Sequence, residues 1–342
     1  MKVVERGDFT DSSNDTPASD SMRHKFFRIL ALAPGVIPGR HLKRTSSSMN
    51  RRVFFLITFA ATAAAAFLSR VSLAAEASRA PKNIAYVEGG HEMQRLDLYL
   101  PRTPGPHPLI VWVHGGAWRA GSKQDMPLGG LIAEGFAVAS LDYRLSTVAP
   151  MPAQMHDIKA AIRFLRAHSA DYGFDPKRFA VAGSSAGGHL AALTGTSNGN
   201  KELEGKLGAN LDQSSDVQAI VSFFGASDLQ TILGQSTEHG LSVRVPALQL
   251  LLGGQPDEKP ALAKLASPVA HANAHVPPLL LIHGDADPQM PFEQSRELEA
   301  AYRKAGRPVE FVVMPGSKHG GKEFFDAERL AIVEKFLRTH LK

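Results

Sequence analysis

The sequence contains no cysteine among its 342 residues. A disulfide framework, a zinc–thiolate site and a thiol nucleophile are therefore excluded. An excess of charge is missing too, once position is considered. The net charge is +5, but residues 1–80 carry 12 Lys/Arg against 6 Asp/Glu, leaving 26 basic and 27 acidic residues in 81–342. That near-neutral body offers no basic face, so nucleic acid is not an expected partner. There is no H-E-x-x-H helix, dense His/Asp cluster, G-x-x-x-x-G-K-[ST] loop or dinucleotide fingerprint. The expected cofactor set is therefore none: no metal, nucleotide or organic group. No internal repeat is apparent. What remains is a chain that is 44% hydrophobic, enough for one large domain or two small ones.

The basic balance lies in the leader. In 49-MNRRVFFLITFAATAAAAFLSRVSLAAEA-77, Arg51 and Arg52 precede an apolar run from Val53 to Leu68, and small residues follow at Ser72, Ala74, Ala75 and Ala77. This is the layout of a secretory signal peptide, cleaved after Ala74 or Ala77. The run is short for a spanning helix, which needs roughly 20 residues, so no stable membrane insertion is expected after cleavage. Residues 1–48 are polar and hold nothing that predicts a packed core. They read as a disordered or mis-annotated N-terminal extension, with Met49 as the true start. The expected location is periplasmic or secreted.

From about residue 82, short β-rich runs alternate with helical periodicity. Candidate strands are 84–88, 95–100, 109–114, 136–143, 178–183, 217–224, 278–284 and 309–315. The first two alternate in polarity and suggest half-exposed antiparallel strands. The later ones are nearly continuous apolar runs, as parallel strands covered on both faces require. Helices are expected over 152–173, where Met155, Ile158, Ile162 and Leu165 recur at helical spacing, and over 292–305 and 321–341. The fold class is α/β: a mostly parallel eight-stranded sheet with helices on both faces, spanning 78–342. The irregular span 196–260 suggests a small cap over the site.

One motif stands out. In 180-AVAGSSAGGHLAAL-193, Ser185 is the centre of G-x-S-x-G, between a predicted strand and a predicted helix. Ser184 lacks the flanking glycines. A serine on such a sharp strand-to-helix turn is lifted above the sheet, and glycines two positions away allow the close packing. Serine is a weak nucleophile and needs a base, and on this scaffold the acid and then the histidine follow it in the chain. Downstream histidines are His189, His239, His271, His275, His283, His319 and His340. His189 lies one turn into the same helix and suits a core position. His283 is within a strand and His340 is terminal. His319, in the glycine-containing loop 315-PGSKHGG-321, is the candidate base. The acid is expected after the seventh strand, where 283-HGDADPQMP-291 offers Asp287 and Asp285. Asp287, before Pro288, is preferred, and Asp285 is the candidate for bracing the turn. The oxyanion donors are assigned to the backbone of Ala186, Gly116 and Ala117, the last two in 114-HGGAW-118 directly after the third strand. His114 and Gly115 are assigned to the substrate pocket, with Gly115 also shaping the turn, and Trp118 either walls the pocket or packs beneath it.

These segments together resemble the α/β-hydrolase superfamily. Closer still, they resemble its HGGG-type carboxylesterases, in the bacterial branch of acetyl and feruloyl esterases. The resemblance covers about 82–342. It rests on RLDLYLP, PLIVWVHGGAW, GFAVASLDYRL, DIKAAIRFLRAH, FAVAGSSAGGHLAA, HGDADPQMPFEQS and the GSKHGG loop. The chain departs from the pattern at Ala117, in place of a third glycine, and at Gln289 and Met290, in place of a Leu/Val pair. The resemblance also puts Asp142, Tyr143 and Arg144 near the pocket floor, where they read as structural. It implies a serine esterase acting through an acyl-enzyme on short acyl or aryl esters; the leader adds export, and export extends the expected substrates to esters borne on polysaccharide. The alternatives are a formamidase or prolyl-type peptidase on the same scaffold, and a non-catalytic binding protein. A histidine base predicts turnover that falls as His319 takes up a proton.

Overall fold

The computed structural model describes residues 80–342. The expectations for 1–48 and 49–77 lie outside the described residues. Eight strands form one sheet: β1 Ile84–Ala85, β2 Arg95–Tyr99, β3 His107–Val113, β4 Ala137–Leu141, β5 Phe174–Ser184, β6 Ala219–Phe223, β7 Leu279–Gly284 and β8 Val309–Met314. The helices that matter for the site are α1 Gly129–Ala133, α2 Ala153–Ala167, α3 Ala186–Thr196, α4 Glu238–Leu252, α5 Phe292–Lys304 and α6 Ala327–His340.

The spatial order is β1-β2-β4-β3-β5-β6-β7-β8. β2 runs antiparallel to β1 and β4, and every pairing from β4 to β8 is parallel. From β3 the chain crosses to β4 on one side and then returns to β5 on the other. The connections leaving β3 and β5 therefore diverge at their carboxyl ends. In an open α/β sheet that divergence is where ligands bind.

Period-two alternation divides the apolar strand residues between two cores. Leu109, Val111 and Val113 of β3, with Phe179 and Val181 of β5, face one core, where Met155, Ile158, Leu190 and Leu298 meet them. Ile110 and Trp112, with Ala180 and Ala182, face the other, against Leu131, Val333 and Phe336. The near-continuous apolar runs are thus explained by helices on both faces.

Two strand expectations are corrected. β2 is not half-exposed: Leu96, Asp97 and Leu98 are all buried, with Leu96 and Leu98 in the core shared with Met155 and Ile158 and Asp97 accepting the Asn83 N–H. β8 is apolar in sequence, yet Met314 is its one buried residue. It is the sheet's edge, and period alone does not distinguish an edge strand from a central one. The helix expected over 152–173 breaks at His168, and a short helix, Ser169–Tyr172, ends at Gly173 in the left-handed region. The final helix is preceded by a separate 3-10 turn, Lys322–Phe325.

Candidate active site

The turn from β5 to α3 puts Ser185 at φ 54° and ψ −120°, a strained conformation for a residue with a side chain. Its N–H donates to Phe223 O at 2.9 Å, fixing the turn to β6. The flanking glycines are steric necessities. A Cβ at Gly187 would overlap Val113 O and sit 2.5 Å from His114 O, and one at Gly183 would sit 2.7 Å from Val113 O. The tip of β3 is therefore packed directly against the turn.

Three chain-distant side chains meet at this point. His319 Nε2 lies 2.9 Å from Ser185 Oγ, and His319 Nδ1 lies 2.6 Å from Asp287 Oδ2. The remaining carboxylate oxygen, Oδ1, accepts the N–H groups of Gln289 and Met290, each at 2.8 Å. Asp285 accepts from Gly316 N–H at 2.6 Å and so ties the acid loop to the histidine loop. Burial alone would raise the Asp287 pKa. Hydrogen bonds from His283 and His319, the charge of His319 and the Met290 amide outweigh it, holding the carboxyl well below its usual range.

Across from Ser185 runs the 114–118 loop. Gly116 has φ 109°, Ala117 φ 51° and Trp118 φ 60°. With Ser185 and Phe224 (φ 40°), four of the five described non-glycine residues at positive φ belong to this one neighbourhood. Strain concentrated in this way marks segments whose geometry is set by surrounding structure. The N–H groups of Gly116 and Ala117 donate to no protein acceptor among the described residues. The Ala186 N–H opens α3, where no helical acceptor exists.

Together these elements enclose a cleft of about 380 Å³, with Gly115, Gly116, Ala117, Ser185, Gln289 and His319 among its lining. Asp125 and Phe224 also reach it. A larger cavity of about 710 Å³ lies by Tyr99 and α1. Tyr99 pairs with Val138 at the start of β4, so that cavity is at the opposite end of the strands from Ser185.

Of the residues placed at the pocket, His114 is corrected and Trp118 takes its packing alternative. Trp118 is fully buried and does not line the cleft. Its indole N–H donates to His189 Nδ1 at 3.0 Å, and Arg244 lies over its ring at 5.8 Å. His114 is also buried, stacked on Tyr143 at 4.5 Å with Nδ1 donating to Gly115 O at 2.7 Å. Desolvation lowers its pKa. Both residues hold the loop from beneath, and Gly115 alone of that trio faces the cleft. Of the DYRL residues, Tyr143 O–H donates to His114 O at 3.0 Å and Arg144 forms an ion pair with buried Asp157 at 2.8 Å. Asp142 pairs with Lys123 at 3.2 Å. They make structural contacts, and none of the three lines the cleft.

His189 is a core residue, as its helical position suggested. Its Nε2–H donates to Ala266 O at 2.7 Å, and burial pushes its pKa down to about 4. The span 196–260 is less of a cap than expected. Phe224 is its one residue lining the cleft among those described. Its main helix, α4, instead braces the acid loop: Thr237 O–H donates to Pro288 O at 2.5 Å, and Arg244 Nη2 donates to Gln289 O at 3.3 Å. His283, set aside by sequence reasoning because it lies in a strand, sits beside Asp287. Its position four residues before the acid was the available signal.

A parallel sheet with helices on both faces, a strained serine turn and a Ser–His–Asp hydrogen-bonded chain define the α/β-hydrolase class. The BD-FAE family model matches residues 96–302, and the chain belongs to that family. Esterase LipQ of Mycobacterium tuberculosis is 34% identical over 247 residues, covering 69% of this chain and 56% of LipQ. The chain thus spans a little over half the length of the curated relatives it matches. Among solved structures, a truncated form of a carbohydrate esterase from gut microbiota is 33% identical with a TM-score of 0.69, covering 77% of this chain and 96% of that one. Thermogutta terrifontis esterase 2, solved after phosphonylation by sarin, is 27% identical with a TM-score of 0.65 over 77% of this chain and 95% of its own.

Proposed function

We propose that this protein is a serine esterase that hydrolyses short-acyl or aryl carboxylic esters through an acyl-enzyme on Ser185. The observation that carries the reading is the unbroken hydrogen-bonded chain from Ser185 Oγ through His319 to Asp287. In the proposed cycle Ser185 Oγ attacks the ester carbonyl while His319 Nε2 takes its proton. Asp287 fixes the imidazole tautomer, with Nδ1–H toward the carboxylate, and stabilises the imidazolium as it forms. The N–H groups of Ala186, Gly116 and Ala117 receive the oxyanion, a role in which losing one donor typically costs roughly 3–4 kcal/mol. His319 then protonates the departing alcohol and activates water to release the acid. No step needs a cofactor.

A cleft of about 380 Å³ lined largely by glycine, alanine and serine suits a small acyl group better than a long chain. The likeness to a gut carbohydrate esterase supports a sugar-borne ester as substrate. The leader pattern in 49–77 supports export to where such polymers occur, and N-terminal sequencing of the protein recovered outside the cytoplasm tests that part. The substrate test is a panel of p-nitrophenyl acetate, p-nitrophenyl octanoate, methyl ferulate and acetylated xylan. The expected result is acetyl or feruloyl ester turnover well above octanoate. Preference for octanoate would contradict the short-acyl reading.

A further inference from the structure

Asp287 is touched by two histidines. Besides His319 at 2.6 Å, its Oδ2 lies 3.3 Å from His283 Nε2, and that nitrogen is also 3.2 Å from Met290 O. Both neighbours are acceptors, so Nε2 carries the proton and shares it between them. His283 Nδ1 must then accept, and Ser295 Oγ–H, 2.7 Å away, supplies the donor. The result is a symmetrical relay: Ser185 to His319 to Asp287 from one side, Ser295 to His283 to Asp287 from the other.

The two arms differ in how they are held. His319 stands on a loop at the cleft. His283 is fully buried in β7, opposite Val313 of β8, with Phe292 of α5 packed edge-on at 5.6 Å. Ser295 is buried on the same helix. The Asp287 side chain is itself wholly buried, and a buried carboxylate needs its lone pairs satisfied. Backbone amides pin Oδ1. Without His283, the one remaining donor on Oδ2 would be the ring that must move charge during turnover.

We propose that His283, set in its tautomer by Ser295, is a positioning residue that holds Asp287 Oδ2 toward His319. This rests on the esterase reading for its consequence, not for its geometry. His283 touches no substrate, so its removal acts on kcat and leaves KM alone.

The experiment compares kcat and KM for p-nitrophenyl acetate in wild type, His283→Leu, His283→Gln and Ser295→Ala. A hydrogen bond to a charged group corresponds to about 10- to 100-fold, so His283→Leu should lose about that much in kcat with KM within about twofold. His283→Gln, whose amide can donate to the same oxygen, should recover most of it. Ser295→Ala, the mildest change, should lower kcat by about 3- to 10-fold and serves if the leucine variant does not fold. An undiminished kcat in Ser295→Ala or His283→Leu, a loss confined to KM, or glutamine no better than leucine would overturn the proposal. The same series is read by the rate at which a fluorophosphonate modifies Ser185. If wild type hydrolyses no ester, the proposed function fails, and the modification rates still decide the role of His283.

Discussion

Acidification should destabilise this protein through His189. The ring is fully buried in α3, accepts from Trp118 and donates to Ala266 O. Both ring nitrogens are thereby committed to the neutral form. Burial lowers its pKa in the folded protein from 6.5 to about 4. Above the unfolded value neither state binds the proton, and the group contributes no pH dependence. Between 6.5 and 4 the unfolded chain is protonated and the folded one is not, so stability falls as the pH falls. Each pH unit crossed inside that window costs about 1.36 kcal/mol, so at about pH 4.5 the loss from this residue is about 2.5 kcal/mol. Protonation also places a donor against the Trp118 N–H, and Trp118 adjoins Ala117. The assay is urea unfolding of wild type and His189→Gln, whose amide can accept and donate in the same places. The stability difference between them should move by about 2.5 kcal/mol between about pH 7.5 and pH 4.5, in favour of the variant at low pH. A difference independent of pH over that range would mean that His189 is not held neutral by burial.

Other perturbations address the site directly. Asp287→Asn should lower kcat by about 10⁴-fold, because the amide favours the wrong His319 tautomer, with little change in KM in steady-state assays. Gly187→Ala should abolish activity and lower Tm by more than about 5 °C, since its Cβ would overlap Val113 O and lie 2.5 Å from His114 O. Ala117→Gly should raise stability by about 0.5–1 kcal/mol, because φ 51° strains alanine and not glycine; calorimetry checks it.

The strands were legible because their residues are β-branched and apolar in short runs between glycine- and proline-rich turns. All eight overlap the runs the pattern picks out, though β1 stops at Ala85, and β3 and β5 begin earlier, at His107 and Phe174, which pair with each other. The burial of β2 and the openness of β8 were not legible, since both depend on which strand ends up at an edge. Ser185, Asp287 and His319 were legible from motif and chain order, and the structure brings these three together. Trp118 was ambiguous and His114 misled because a residue next to an oxyanion loop can face the cleft or the core. That choice is made by Tyr143, His189 and Arg244, which are distant in sequence. Arg244 is itself buried, and burial lowers its pKa to about 10; nothing in its helical setting announced contact with the acid loop. His283 was hidden for the opposite reason. A strand position reads as core, and the spacing of four residues to Asp287 was the one sequence signal that its ring meets the acid.

The proposed function depends on an activated nucleophile at Ser185. The most direct measurement is reaction of the folded protein with a fluorophosphonate probe, with the modified peptide mapped by mass spectrometry. Stoichiometric modification at Ser185 is expected, abolished in Ser185→Ala and slowed in Asp287→Asn. Folded protein that stays unmodified, or that is modified at Ser184 or elsewhere with Ser185 free, would contradict it.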